Sequence, residues 1–157
     1  MTPATKMLDK AKVAYSLHRY DHDPQAESYG GEAAEKLGLN PQQVFKTLLA
    51  CTETGELLVA VVPVDGILDL KLLAKAAGAK KVAMADPAAA QRSTGYLLGG
   101  ISPLGQKKNL RTFIDSSATR WPQLFVSGGR RGLEIELDPQ DLARQTRATF
   151  AEVGKAG

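Results

Sequence analysis

Three helix-start signals punctuate this chain: Thr2-Pro3, Asp86-Pro87 and Asp138-Pro139. In each, a side-chain oxygen can accept a first-turn N–H, and the proline that follows has no N–H to leave unsatisfied. Glycine stops answer them, Gly38 after residues 31–37 and Gly78 after Leu70–Ala77, because a left-handed residue ends a helix without a Cβ clash. The chain is thereby cut into short helices that alternate with short strands. The first helix runs from Thr2-Pro3 to about residue 12, and Asn40-Pro41-Gln42-Gln43 predicts a further helical turn.

Strand signals fill the intervals. Val13, Tyr15 and Leu17 alternate with Ala14, Ser16 and His18, which predicts a strand over 13–20. Residues 45–52 and 57–62 read as a hairpin around Glu53-Thr54-Gly55-Glu56, and 110–114, 124–127 and 133–137 read as further strands. No long linker, repeat or low-complexity tract interrupts the pattern. The natural reading is one α+β (mixed α/β) domain over residues 1–157, with a largely antiparallel sheet.

At 157 residues the chain can bury one good core. Its 43% hydrophobic and 24% charged content is that of a globular protein. No apolar run approaches the roughly 18 residues of a membrane span. The stretch Met1-Thr2-Pro3-Ala4-Thr5-Lys6 lacks a signal-peptide apolar segment, so export and membrane contact are not expected and a cytoplasmic location is. The single Cys51 excludes an internal disulfide framework and suits a reducing compartment. Two histidines and one cysteine are too few for the usual zinc ligand sets. His18 and His22 read as ordinary strand and turn residues, and neither metal nor cofactor is expected.

The run Gly99-Gly100-Ile101-Ser102-Pro103-Leu104-Gly105-Gln106-Lys107-Lys108 carries the strongest functional signal. Glycines open backbone N–H groups to close approach, a proline fixes the bend, and two ammonium groups follow. Gly100 and Gly105 have P-loop spacing, but Gln106 stands where the lysine belongs and Lys108 replaces the hydroxyl that would hold magnesium. Nucleoside triphosphate hydrolysis is therefore not expected. The preceding Ser93-Thr94-Gly95-Tyr96 reads equally as a helix stop or as part of the loop.

Two further places stand out. Lys46 and Thr47 interrupt the apolar strand Val44-Phe45-Lys46-Thr47-Leu48-Leu49. Alternation puts Lys46 on a face with Leu48 and Ala50, which suits the wall of a cleft. Ser127-Gly128-Gly129-Arg130-Arg131-Gly132 reads as a hairpin turn, though a plain hairpin has no need of adjacent arginines. With Lys107, Lys108 and Arg111, Arg130 and Arg131 could form a basic rim for phosphates. A net charge of +3 and a pI near 9.0 are too modest for tight nonspecific duplex binding. Locally, however, Asp21, Asp23, Glu27, Glu32 and Glu35 make the early segment acidic, and residues 105–131 are basic.

These motifs, in this order, resemble the YbaK family of bacterial Cys-tRNA(Pro) deacylases over essentially the whole chain. The resemblance rests on Gly99-Gly100-Ile101-Ser102-Pro103-Leu104-Gly105, Phe45-Lys46-Thr47-Leu48 and Val126-Ser127-Gly128-Gly129-Arg130-Arg131-Gly132. Met1-Thr2-Pro3-Ala4, Tyr20-Asp21-His22-Asp23-Pro24 and Glu32-Ala33-Ala34-Glu35-Lys36-Leu37-Gly38 add to it. The spacing from Gly99 to Pro103 is similar to the glycine–proline signature of the editing domain inserted in bacterial prolyl-tRNA synthetases.

The resemblance implies a partly barrel-like editing-domain fold and removal of cysteine from mischarged tRNA(Pro), assisted by prolyl-tRNA synthetase in a ternary complex. It places Lys46 at an essential lysine position. Backbone N–H groups of Gly99, Gly100 and Ile101 are suited to the oxyanion of ester cleavage. Tyr20, Tyr29, Thr47, Ser102, Pro103, Ser127, Gly128, Gly129 and Glu134 fall to the substrate pocket, with Glu134 where many relatives carry Asp. Lys107, Lys108, Arg130 and Arg131 fall to the tRNA phosphates. No Ser–His–Asp or Cys–His pairing is evident, and Cys51 reads as core rather than nucleophile. This fits the family's chemistry, in which the substrate's own thiol attacks its ester. Two alternatives stay open: a sister deacylase that edits alanyl- or another mischarged tRNA through a bound water, and a noncatalytic module for the tRNA 3′ end.

Overall fold

The computed structural model describes residues 1–26 and 29–157, with residues 29 and 30 given as helix backbone. The chain runs α1 (Pro3–Ala11), β1 (Ser16–Arg19), α2 (Tyr29–Leu37), β2 (Phe45–Thr52), β3 (Leu57–Pro63), β4 (Gly66–Leu68), α3 (Leu70–Ala77), β5 (Val82–Met84) and α4 (Pro87–Thr94). It continues with β6 (Arg111–Asp115), a 3-10 turn (Ser116–Arg120), β7 (Leu124–Ser127), β8 (Leu133–Leu137), α5 (Pro139–Thr146), β9 (Thr149–Ala151) and β10 (Gly154–Ala156). The three proline-led helix starts stand where expected. Thr2, Asp86 and Asp138 each accept first-turn N–H groups of the helix that follows.

Two expectations shift. The first strand is shorter than 13–20 because Lys12 turns left-handed and Val13 donates its N–H back to Leu8, so the chain is still leaving α1 there. Residues 40–43 form a turn instead of a helix. The Asn40 side chain accepts the Gln42 N–H at 2.9 Å, its carbonyl accepts that of Gln43, and the chain passes straight into the sheet.

The strands form a five-stranded sheet β5-β2-β3-β6-β9, a three-stranded sheet β1-β8-β7 and a small pair β10-β4. β3–β6 and β6–β9 run parallel and the other pairings run antiparallel. A bridge between Val44 and Phe125 and the bond from the Phe125 N–H to the Gln43 carbonyl join the two larger sheets into a partly closed barrel. The main core fills the space between them. Phe45, Leu49, Val61, Ile114, Val126, Ile135 and Leu137 meet Leu8 of α1 and Leu142 of α5 there. Each fully buried aliphatic side chain contributes about 1.5–3 kcal/mol. A second cluster lies under α3, around Leu58, Leu73, Val82 and Phe113.

Two anchors set the later geometry. Leu104 is fully buried in the main core, which pins the glycine-rich segment to the body of the domain. Asp115 accepts N–H bonds from Val153 and Gly154 on one oxygen and from Ser117 on the other. Burial pushes its carboxyl up, but these donors outweigh it and hold the group below the usual range. The clamp ties β6 to β10.

Candidate active site

The glycine-rich segment is a loop with its own internal bonding. The Gly100 N–H donates to the Leu97 carbonyl at 3.0 Å, and Gly99 has φ +87°, which fits the third position of a type II turn. Ser102 is fully buried, and its hydroxyl accepts the Leu104 N–H at 3.2 Å. Gln106 donates to the Ser102 carbonyl at 3.0 Å, and the Tyr96 hydroxyl donates to that of Leu104 at 2.6 Å. Burial pushes the Tyr96 hydroxyl up to about 12, so it stays a donor. Ser93 and Thr94 close α4, and their carbonyls accept the N–H groups of Lys108 and Lys107. Ser102 and Pro103 thus shape the loop from inside. The Gly99 and Ile101 N–H groups have no partner among the described residues.

The turn after β7 locks onto this loop. A Cβ built on Gly100 would stand 2.7 Å from Arg130 Cα, so only glycine permits the approach. Gly129 donates to Ser127 Oγ at 3.1 Å, and Gly128 donates to the Leu133 carbonyl at 2.8 Å. Thr2 donates to the Gly128 carbonyl at 2.5 Å, and Gly105 packs on the Pro3 backbone. The start of α1 is therefore wedged beneath both glycine loops.

Beside the turn lies a cluster of polar groups. Ser127 pairs in register with Glu134, and Glu134 with His18. Glu134 is 5% exposed, and its Oε2 has no hydrogen-bond partner among the described residues. Burial raises its carboxyl to about 8, so it is largely protonated at neutral pH. Tyr20 donates its N–H to the Gly132 carbonyl at 3.0 Å, and burial pushes its hydroxyl up, opposed by the Gly132 backbone and Arg131 and helped by Glu134 and Glu32. Arg131 donates to the Asp23 carbonyl at 3.0 Å and lies 3.6 Å from Glu32 Oε1, while Glu32 Oε2 accepts the Asp23 N–H at 2.6 Å. Thr47 Oγ1 is also buried with no partner among the described residues. His18 instead bonds Glu136 at 2.9 Å and meets the Phe125 ring edge-on.

The structure brings Tyr20, Arg130, Arg131, Ser127, Gly128, Gly129 and Glu134 together with Gly100. Lys46 lies elsewhere along the wall. It is half-buried and donates to the Gly66 carbonyl of β4 at 2.7 Å. Burial lowers its ammonium group and Asp65 partly offsets this. The Tyr29 side chain lies outside the described residues, as does Glu27. The basic rim divides. Arg111 is bound through two nitrogens to Glu56 and lines a separate groove with Lys108 and Arg147. Lys107 and Lys108 are exposed.

In the sequence Glu32 stands in an acidic stretch and in the Glu32–Gly38 motif of the resemblance, neither of which marks it as a site residue. It is 6% exposed and reaches Arg131 and Asp23 from the first turn of α2. Its one usable signal is an acidic residue just inside a helix start, where the helix N-terminus favours it. Among the described residues, no three His, Cys, Asp or Glu side chains group as metal ligands. None of these residues forms a helix long and apolar enough to cross a membrane.

Two interlocked glycine loops thus lie beside a buried polar cluster around Glu134. The chain belongs to the aminoacyl-tRNA editing domain family, whose model matches residues 23–145. It is 39% identical, over 97% of its length and 92% of the relative's, to EbsC of Enterococcus faecalis (strain ATCC 700802 / V583), provisionally assigned as a Cys-tRNA(Pro)/Cys-tRNA(Cys) deacylase. Its fold matches that of hypothetical protein APE2540 with TM-score 0.87 and 24% identity over 98% of this chain and 99% of that one. It also matches a structure provisionally assigned as a trans-editing enzyme for prolyl tRNA synthetase, with TM-score 0.84 and 21% identity over 99% of both chains.

Proposed function

We propose that residues 1–157 act as one cytoplasmic trans-editing domain that cleaves cysteine from mischarged Cys-tRNA(Pro), in a complex with prolyl-tRNA synthetase. The observation that carries this reading is the Gly100–Arg130 contact. It locks two loops together near the buried, protonated Glu134 carboxyl, and the Gly99 and Ile101 N–H groups of the first loop have no partner among the described residues. The likeness to EbsC supports the substrate.

In the chemistry proposed, the cysteine thiolate attacks its own ester carbonyl. The new C–S bond forms as the carbonyl electrons move onto oxygen, and the Gly99 and Ile101 N–H groups meet that oxyanion. Gly100 supplies the packing that aims them, since its own N–H is spent on Leu97. Collapse breaks the bond to the ribose oxygen, which takes a proton from solvent in place of the one the thiol gave up to become a thiolate, and water then opens the thiolactone to free cysteine. Lys46 binds the 3′-terminal nucleotide or the reacting ester. Ser127, Thr47, Tyr20 and Glu134 line the amino-acid side, and protonated Glu134 can donate a hydrogen bond where a carboxylate could not. Lys107, Lys108, Arg130 and Arg131 meet backbone phosphates.

The test is deacylation of purified Cys-tRNA(Pro), Ala-tRNA(Pro) and a thiol-less analogue of the cysteine ester, with and without the synthetase. Rapid loss of cysteine alone is expected, faster with the synthetase present. Equal cleavage of the thiol-less ester would replace thiol attack with a bound water, and tight binding without turnover would leave only a 3′-end binding module.

A further inference from the structure

Leu97 and Leu98 are 77% and 47% exposed, although soluble proteins seldom display two adjacent large aliphatic side chains without use. They are not on a loose loop. The Leu97 carbonyl accepts the Gly100 N–H, and the Leu98 N–H donates to Gln91 Oε1 at 2.9 Å, so a bonded turn holds both outward from the end of α4. They rim a cleft of about 420 Å³ whose other walls include Pro3, His22, Gly100 and Arg130.

The cations beside this edge are available. Arg130 and Lys107 are exposed and form no ion pair among the described residues, and Lys107 packs against Gly95 at the foot of the same turn. The back wall is Gly100, the glycine that locks the proposed ester site. The surface is thus apolar at its centre, cationic at its flank and continuous with the place where the tRNA 3′ end would enter.

We infer that this face seats the end of the tRNA acceptor stem, where the paired stem gives way to its single-stranded 3′ terminus, with Leu97 and Leu98 against the terminal base pair and Arg130 and Lys107 on its phosphates. The inference rests on the deacylase reading and names the part of the substrate beyond the ester. A stacked base pair presents a flat apolar face ringed by phosphates, and leucine is among the side chains that pack against base steps. A protein partner fits less well, because stable protein interfaces bury roughly 800 Å² per side and this apolar edge is only a few side chains wide.

The experiment compares an acceptor-stem minihelix with a minimal ester, cysteine on adenosine, using the wild type and the double variant Leu97→Ala/Leu98→Ala, its fold checked by thermal melting. The variant is expected to bind the uncharged minihelix at least tenfold more weakly, and to cleave the minimal ester within twofold of wild type. Arg130→Gln is expected to lower the salt slope of minihelix binding by about one, whereas the leucine variant leaves it unchanged. Equal losses on both substrates, no loss on the minihelix, or a loss seen only with synthetase present would overturn the inference. Should the wild type cleave neither ester while minihelix binding still depends on the leucines, the deacylase reading fails and this one stands.

Discussion

In the loop from Leu97 to Gly105, side chains hold the backbone around Leu104: Ser102 serves Leu104, Gln106 serves Ser102, and Tyr96 serves Leu104, while the N–H groups of Gly99 and Ile101 have no partner among the described residues. Across the Gly100–Arg130 contact, the pocket does the reverse. Glu134 keeps a buried oxygen without a partner among the described residues. An unmade hydrogen bond at such a depth costs about 1–3 kcal/mol, so nothing about stability favours the second arrangement. The Ser102–Leu104 part of the loop is close-packed scaffold, and on the function proposed above the polarity around Glu134 is kept for the substrate. Changes in the pocket should therefore cost activity more than stability, and changes in the loop should do the opposite.

The largest effect is expected at Lys46. Lys46→Ala should reduce deacylation at least 100-fold in single-turnover assays, the usual scale for removing a group that stabilises charge at a reacting ester, while Cys51→Ala stays within twofold of wild type. An active Lys46 variant beside a dead Cys51 variant would reverse the assignment. Gly100→Ala breaks the scaffold side. Its Cβ meets Arg130 Cα at 2.7 Å and the Arg131 nitrogen at 3.2 Å, so the loops must part. A loss of about 2 kcal/mol is expected, read as a fall in Tm of about 4–8 °C; an unmoved Tm would mean the loops yield without strain.

A pH dependence sharpens the pocket side. The Glu134 carboxyl is raised from 4.5 to about 8 on folding, so between these pH values the folded chain holds a proton that the unfolded chain has lost. This contribution to stability is complete below about pH 4.5 and declines as pH rises towards 8, by at most about 1.4 kcal/mol per pH unit. Glu134→Gln, which cannot ionise, should flatten that decline in denaturant titrations. Parallel curves for the two proteins would show that Glu134 stays charged.

Much of the architecture was legible in local chemistry. Asp86-Pro87 and Asp138-Pro139 start their helices, Gly78 ends α3, and Leu124–Ser127 and Leu133–Leu137 are strands with the expected bounds. What escaped was nonlocal. β4, β5, β9 and β10 are three residues each, too short for any periodicity, and depend on distant partners such as Asp115 for Val153 and Gly154. Leu133-Glu134-Ile135-Glu136-Leu137 reads as a half-exposed strand, and both glutamates do share a face. Which of them is covered depends on groups far off in sequence: Ala34 packs on Phe125 of that face, and Glu134 is sealed while Glu136 reaches His18. For the site, the glycine loops stood out because backbone conformation restricts residue type there. Leu97 and Leu98 did not, since adjacent leucines look like core until the turn that turns them outward is seen.

The wedge of α1 beneath both glycine loops has a kinetic consequence. Thr2 and Gly128 are 126 positions apart in the chain, and their bond joins the first helix to the turn before β8. Contacts of such long range close slowly, because loop entropy must be overcome before they form. During synthesis the first helix waits for the β7–β8 hairpin to emerge before its capping threonine has a carbonyl to reach. The junction of the two glycine loops is accordingly among the last parts of the molecule to mature, and an unfinished chain lacks it.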